Sequence, residues 1–136
     1  MPTYFLDANV PLNVSKALAL VRDDIQYPTA PNCPILTTNV PDAEWLAVAG
    51  QQNWVVITKD KMIRHRRWER EALIQAGVRA FCMTSAGGYT MWETLQLLAR
   101  RWNDIEEIAN TVPGPYIYSV TNAGVRFLGP KQGAAP

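Results

Sequence analysis

The sequence predicts an α/β fold: a three-layer α/β/α sandwich around a mainly parallel sheet, closed at its C-terminal end by a β-hairpin. Three observations carry this. Short apolar runs rich in β-branched and aromatic residues alternate with amphipathic stretches, and alternating strands and helices assemble into parallel sheets through right-handed crossovers. A length of 136 residues with a hydrophobic fraction of 48% suits one buried core and leaves little room for a second. The alternation breaks only at the end, where two apolar runs flank Thr121-Asn122-Ala123 with no helix between them, the pattern of a hairpin.

The elements follow in order. Residues 3–6 read as a buried strand that stops at Asp7. Over residues 10–21, Val14, Leu18 and Val21 recur at helical spacing. Pro28, Pro31, Pro34 and Pro41 mark a long loop, with one short strand expected near Ile35 and Leu36. Residues 43–52 read as a second helix carrying Trp45, Leu46 and Ala49, and residues 54–58 as a strong strand. A basic helix is expected over residues 61–76, stopped by Gly77, and another strand over residues 78–83. Thr90 and Glu93 form a capping-box pattern. The helix they open should bury Met91, Leu95, Leu98, Trp102 and Ile105. Residues 116–120 and 124–128 would be the hairpin strands, residues 1–130 one domain, and residues 131–136 a disordered tail. Trp45, Trp92 and Trp102 follow helical apolar spacing and read as core or dimer contacts.

Composition excludes little and locates less. With 13 Lys and Arg against 12 Asp and Glu the formal net charge is +1, so a nucleic-acid partner would have to be met by a local patch. No apolar run approaches the ~20 residues needed to cross a membrane. The first strand follows Met1 with no charged leader and no small-residue cleavage pattern, so no signal peptide is expected. Cys33 and Cys82 give neither a disulfide framework nor a metal-site spacing. A reduced, cytoplasmic protein is the expectation.

In an open α/β sheet the site lies beyond the carboxyl ends of the strands. Asp7 ends the first strand, Asp60 follows the strand at 54–58, and Asp42 stands where the long loop enters the second helix. Three carboxylates gathered along one sheet edge repel one another unless cations neutralise them, and Mg²⁺ or Mn²⁺ prefer carboxylate oxygens and water. His65 is the only histidine, which counts against a zinc hydrolase. Carboxylate-held ions beside basic side chains suit in-line phosphodiester cleavage, which needs no protein nucleophile. The competing reading is that each Asp caps a helix, a position Asp favours.

Phe5-Leu6-Asp7-Ala8-Asn9-Val10-Pro11 resembles the opening of PIN-like domains. Asp42-Ala43-Glu44-Trp45 resembles their second acidic element, and Val55-Val56-Ile57-Thr58-Lys59-Asp60-Lys61 their third, a hydrophobic strand running into Thr-x-Asp. The likeness covers residues 4–83 and leaves out the terminal hairpin. It implies a Rossmann-like fold and the Mg²⁺- or Mn²⁺-dependent endoribonuclease activity of the small bacterial VapC-type toxins. Those are toxins of type II toxin–antitoxin pairs, held inactive by an antitoxin protein and commonly homodimeric. On this resemblance Asp7, Asp42 and Asp60 would be catalytic and metal-binding, with Glu44 able to replace or supplement Asp42. Asn9 and Thr58 would orient carboxylates or waters. One position departs from the pattern: Met62 stands where relatives often carry a further acid, which leaves one metal ion or two open.

Arg64-His65-Arg66-Arg67-Trp68-Glu69-Arg70 is the densest basic segment and begins just after Asp60. Arg64 and Arg67 are candidate RNA-phosphate contacts, with Lys59 and Lys61 flanking Asp60, and the alternative is a solvated helix face with local pairs such as Arg67 and Glu71. Two rival functions stand beside the nuclease. A haloacid-dehalogenase-type phosphatase also opens on a strand ending in Asp, but it needs a second Asp where this chain has Asn9. A non-catalytic PIN-like protein-binding module is the other.

Overall fold

The computed structural model describes residues 2–59, 67–85 and 88–129, and for residues 67–70 the backbone alone. In chain order the elements are β1 (Tyr4–Leu6), α1 (Leu12–Val21), β2 (Ile25–Gln26), α2 (Asp42–Gln51), β3 (Val55–Thr58), α3 (Arg67–Gln75), β4 (Arg79–Met83), α4 (Met91–Thr111), β5 (Tyr116–Thr121) and β6 (Gly124–Gly129). They make one six-stranded sheet in the order β2-β1-β3-β4-β5-β6. All pairings are parallel except the last, β5 with β6. The three-layer α/β sandwich and the terminal hairpin are therefore both present.

The central strands read as unbroken apolar runs because both of their faces are covered. Every residue of β1 and β3 is buried. On one face, Tyr4, Leu6, Val55 and Ile57 pack with Val14 and Leu18 of α1 and with Leu98, Trp102 and Ile105 of α4. On the other, Phe5 and Val56 meet Leu46 and Ala49 of α2 and Leu73 of α3. The capping box of α4 forms as its residues require: Glu93 N donates to Thr90 Oγ1 at 3.1 Å and Thr90 N to Glu93 Oε1 at 2.9 Å. Gly77, just past α3, takes φ +73°, the left-handed conformation of a helix-ending glycine.

Two expectations need correction. The short strand expected near Ile35 and Leu36 is absent. Ile35 is buried at 4% exposure as a plug in the α2–α3 side core, its carbonyl accepts from Thr29 N at 2.9 Å, and Leu36 is exposed. The edge strand is instead β2, whose two residues pair with Tyr4 and Phe5 and are too few to set up a period. The buried stripe of α4 runs through Thr94, Leu97, Leu98, Trp102, Ile105 and Ala109, not through Met91. Of the tryptophans expected as core or dimer contacts, Trp102 is in the core and Trp92 is 65% exposed. Arg100 and Arg101 dock the hairpin turn on α4: Arg100 Nη1 donates to Asn122 Oδ1 at 2.6 Å, and Arg101 to the carbonyls of Thr121 and Asn122. Cys33 and Cys82 are both buried, and neither forms a disulfide among the described residues. The segment at 131–136 lies outside the described residues. Among those described, no helix is long and apolar enough to cross a membrane.

Candidate active site

The chain leaves β1 for β2 on one side and returns to pair β3 on the other. Connections that diverge from a shared strand open a crevice at its carboxyl end, and ligands bind there in open α/β sheets. Asp7 stands at that point. Its backbone N–H donates to Ile57 O at 3.1 Å, so the β1–β3 ladder carries it to the crevice floor. The residue is 4% exposed. Oδ2 accepts from the Thr58 hydroxyl at 2.7 Å and Oδ1 from the Asn9 backbone N–H at 3.1 Å. A buried carboxylate needs such donors to offset lost hydration, and these two fix its plane. Asn9 reaches Asp7 through its main-chain N–H and also lines the cleft.

Asp42 is the first residue of α2 and exposed. Its Oδ1 accepts from the indole N–H of Trp45 at 2.9 Å. Asp7 and Asp42 line the same cleft of about 130 Å³, together with Phe5, Asn9, Thr37 and Trp45. That volume holds several waters, each needing ~10–15 Å³. Glu44, in the same first turn of α2, is exposed and is not among the lining residues.

The capping alternative fails for both described acids. The cap positions of α1 and α2 belong to Pro11 and Pro41, and neither helix has a side-chain cap. Proline tolerates a helix start because its missing N–H would be unsatisfied there anyway. Asp7 and Asp42 thus line the cleft without capping either helix, and their negative charge suits the nearby start of α2.

Lys59, a candidate phosphate contact, is described at the end of β3. Its Nζ donates to Tyr89 O at 2.6 Å, and the Tyr89 hydroxyl donates to Thr84 O at 2.8 Å. The end of β3 is thereby tied to the start of α4. Burial pushes the Tyr89 hydroxyl pKa up. The Glu93 carboxyl is held below its usual range, first by the Thr90 backbone N–H, then by the Thr90 hydroxyl, with a smaller contribution from Lys59.

Asp60, Lys61, Met62 and Arg64 lie outside the described residues, and Arg67 is placed by its backbone alone, as the first residue of α3. Among the described residues no group of three or more His, Cys, Asp or Glu could hold a metal ion. The two carboxylates present nevertheless fit a hard divalent cation, because Mg²⁺ binds through one or two carboxylates and keeps several waters. Trp45 packs against the core as expected, and its further place in the cleft wall was missed. Its i,i+3 spacing from Asp42 was the available signal.

A family model described as PIN like domain matches residues 2–85. The chain belongs to the PIN-like domain family. The match takes in β1 to β4 and both described acids, while β5 and β6 extend the same sheet beyond it. The chain is also 32% identical over 84 residues to the Mycobacterium tuberculosis protein named Putative ribonuclease VapC45, covering 60% of this chain. It spans 58% of that relative's own length. No solved structure matches the chain significantly.

Proposed function

We propose that this PIN-like protein is a divalent-metal-dependent endoribonuclease, cytoplasmic, and the toxin of a type II toxin–antitoxin pair. The observation that carries this is the convergence of Asp7 and Asp42, 35 residues apart in sequence, on one cleft at the sheet's switch point, with neither used as a helix cap. The named ribonuclease relative supports the reaction class. The toxin role, an antitoxin partner and a homodimer rest on the family resemblance.

In this reading Asp7, Asp42 and Asp60 hold the cation, and Asp42 rather than Glu44 is the second acid because it alone of the two lines the cleft. A bound Mg²⁺ or Mn²⁺ would supply an acidified water and charge neutralisation at phosphorus. The chain's own residues supply orientation. Thr58 and the Asn9 N–H hold Asp7 in one rotamer in the lining of the cleft. Lys61, Arg64 and Arg67 neutralise the RNA backbone, and Lys59 braces the site's rim. Water adds to phosphorus as the bridging P–O bond breaks, and no covalent enzyme intermediate is formed.

The test is cleavage of a labelled structured RNA with Mg²⁺, Mn²⁺ or EDTA, beside Asp7→Asn and Asp60→Asn. Cutting that needs the metal and disappears in both variants is the expected result. Folded wild-type protein that cuts none of several RNAs with either ion would instead leave a protein-binding module as the better reading. Turnover of phosphate monoesters would favour phosphatase chemistry.

A further inference from the structure

Trp45 carries an interaction that its place on an amphipathic helix does not require. An indole at that position could bury its ring and leave its N–H in water. Here the N–H is 2.9 Å from Asp42 Oδ1, one turn back on the same helix, and the ring forms part of the cleft wall. The donor is held from below. The Trp45 ring packs on fully buried Phe5 at 5.7 Å between centroids, and Phe5 stacks on Trp54 at 4.8 Å with 10° between planes. Phe5 lies two residues before Asp7 on β1. One aromatic stack therefore ties the strand that delivers the first acid to the side chain of the second.

Asp42 needs such a tie. It is exposed, at a helix start, and has no capping bond to fix its rotamer. A free Asp side chain there would have to lose its rotamer freedom on meeting an ion. An indole N–H is a donor only, so it occupies one carboxylate oxygen and leaves the other for a cation. Carboxylates that ligate ions are themselves ordinarily hydrogen-bonded, and loss of such an outer partner weakens ion affinity ~10–100-fold.

We infer that Trp45 is a positioning residue for the divalent-cation site: its indole N–H holds Asp42 Oδ1 so that Oδ2 faces the cleft beside Asp7. The inference rests on the metal-site reading above and deepens it by assigning the residue that orients the second acid.

The experiment is direct Mn²⁺ binding, followed by the electron paramagnetic resonance of the free ion, and it needs no RNA and no turnover. Trp45→Phe keeps the ring on Phe5 and removes only the N–H. Its Mn²⁺ affinity should fall ~10-fold relative to wild type, while Trp92→Phe, on an exposed tryptophan, should match wild type. In an Asp42→Asn background, Trp45→Phe should add no further loss, because the two act as one unit. Equal Mn²⁺ binding by wild type and Trp45→Phe overturns this inference and leaves the metal site standing, whereas no binding by wild type overturns both. A second readout needs no substitution at Trp45 itself. Of the five indole N–H resonances of ¹⁵N-Trp-labelled protein, one should shift on Asp42→Asn and also on adding Mg²⁺. If no indole resonance responds to Asp42→Asn, the bond is absent in solution and the inference fails.

Discussion

Thr58 Oγ1 lies 2.7 Å from Asp7 Oδ2, a hydrogen bond that crosses from β3 to the end of β1 and joins two segments 51 residues apart. Both residues are 4% exposed. Hydrogen bonds to a charged partner contribute more than neutral ones, and the loss of a donor leaves the buried carboxylate short of partners. Thr58→Val keeps the branched shape and removes the hydroxyl. It should destabilise the fold by ~2 kcal/mol, read from urea unfolding. Mn²⁺ affinity and RNA cleavage should fall together by ~10-fold or more. An unchanged Mn²⁺ affinity in a folded variant would mean that the bond supports stability alone.

The second acid can be settled by comparing two neighbours in one helical turn. Asp42 lines the cleft and Glu44 does not. Asp42→Asn should reduce cleavage by more than ~100-fold, beyond the range seen on loss of an outer partner. Glu44→Gln, on an exposed residue away from such features, should stay within ~2-fold of wild type. Comparable losses in both variants would show that Glu44 shares the site, and a large loss in Glu44→Gln alone would reverse the assignment.

What the sequence made legible tracks how much each feature depends on distant contacts. The central strands announce themselves because burial on both faces demands unbroken apolar runs such as Val55-Val56-Ile57. The start of α4 announces itself because Thr90 and Glu93 satisfy each other locally. Asp7 and Asp42 could be placed at one edge by topology alone, since carboxyl ends of parallel strands gather there. Less local features were hidden. β2 is two residues long and exists because Tyr4 and Phe5 offer it a partner. Ile35 looks like a strand residue but plugs a core, and nothing in its neighbours distinguishes the two roles. The Lys59 side chain donates to the Tyr89 carbonyl, 30 residues on, a contact that no local pattern announces.

Tyr4 links the core to alkaline stability. It is fully buried, and its hydroxyl has no hydrogen-bond partner among the described residues. Burial first, then the nearby Glu106 and Asp24 carboxylates, push its pKa from 10.0 up to about 12. Between those values the folded chain holds a proton that the unfolded chain has lost. Stability is therefore intact below pH 10 and falls as pH rises toward 12, by on the order of 2 kcal/mol from this group. Tyr4→Phe removes an unsatisfied hydroxyl, so at pH 7 it should be neutral or slightly stabilising. It should also flatten the loss above pH 10. Urea midpoints measured from pH 8 to 11.5 check this, and an equal slope in both proteins would assign the alkaline loss elsewhere. Tyr116, which burial also raises, should account for part of what remains.

Gly50 sets how closely α2 approaches the end of α3. A Cβ at Gly50 would overlap the carbonyl oxygen of Ala76 and sit 3.3 Å from its carbonyl carbon. Helix propensity alone favours Gly50→Ala by ~1 kcal/mol, so the sign depends on whether Ala76 can yield. Its backbone is held: Ala76 N donates to Ala72 O at 3.0 Å, Gly77 N to Ile74 O at 3.0 Å and Val78 N to Leu73 O at 3.1 Å. Overpacking against a fixed neighbour typically costs ~1–3 kcal/mol, which exceeds the propensity gain. Gly50→Ala should therefore lower stability by ~1–2 kcal/mol net, where an exposed helical glycine would gain from the same change. The strain would be relieved most readily by sliding α2, and α2 carries Asp42. Mn²⁺ affinity should then fall along with the urea midpoint, although Gly50 touches neither acid. A stabilised Gly50→Ala variant would show that the α2–α3 contact is softer than its hydrogen bonding implies.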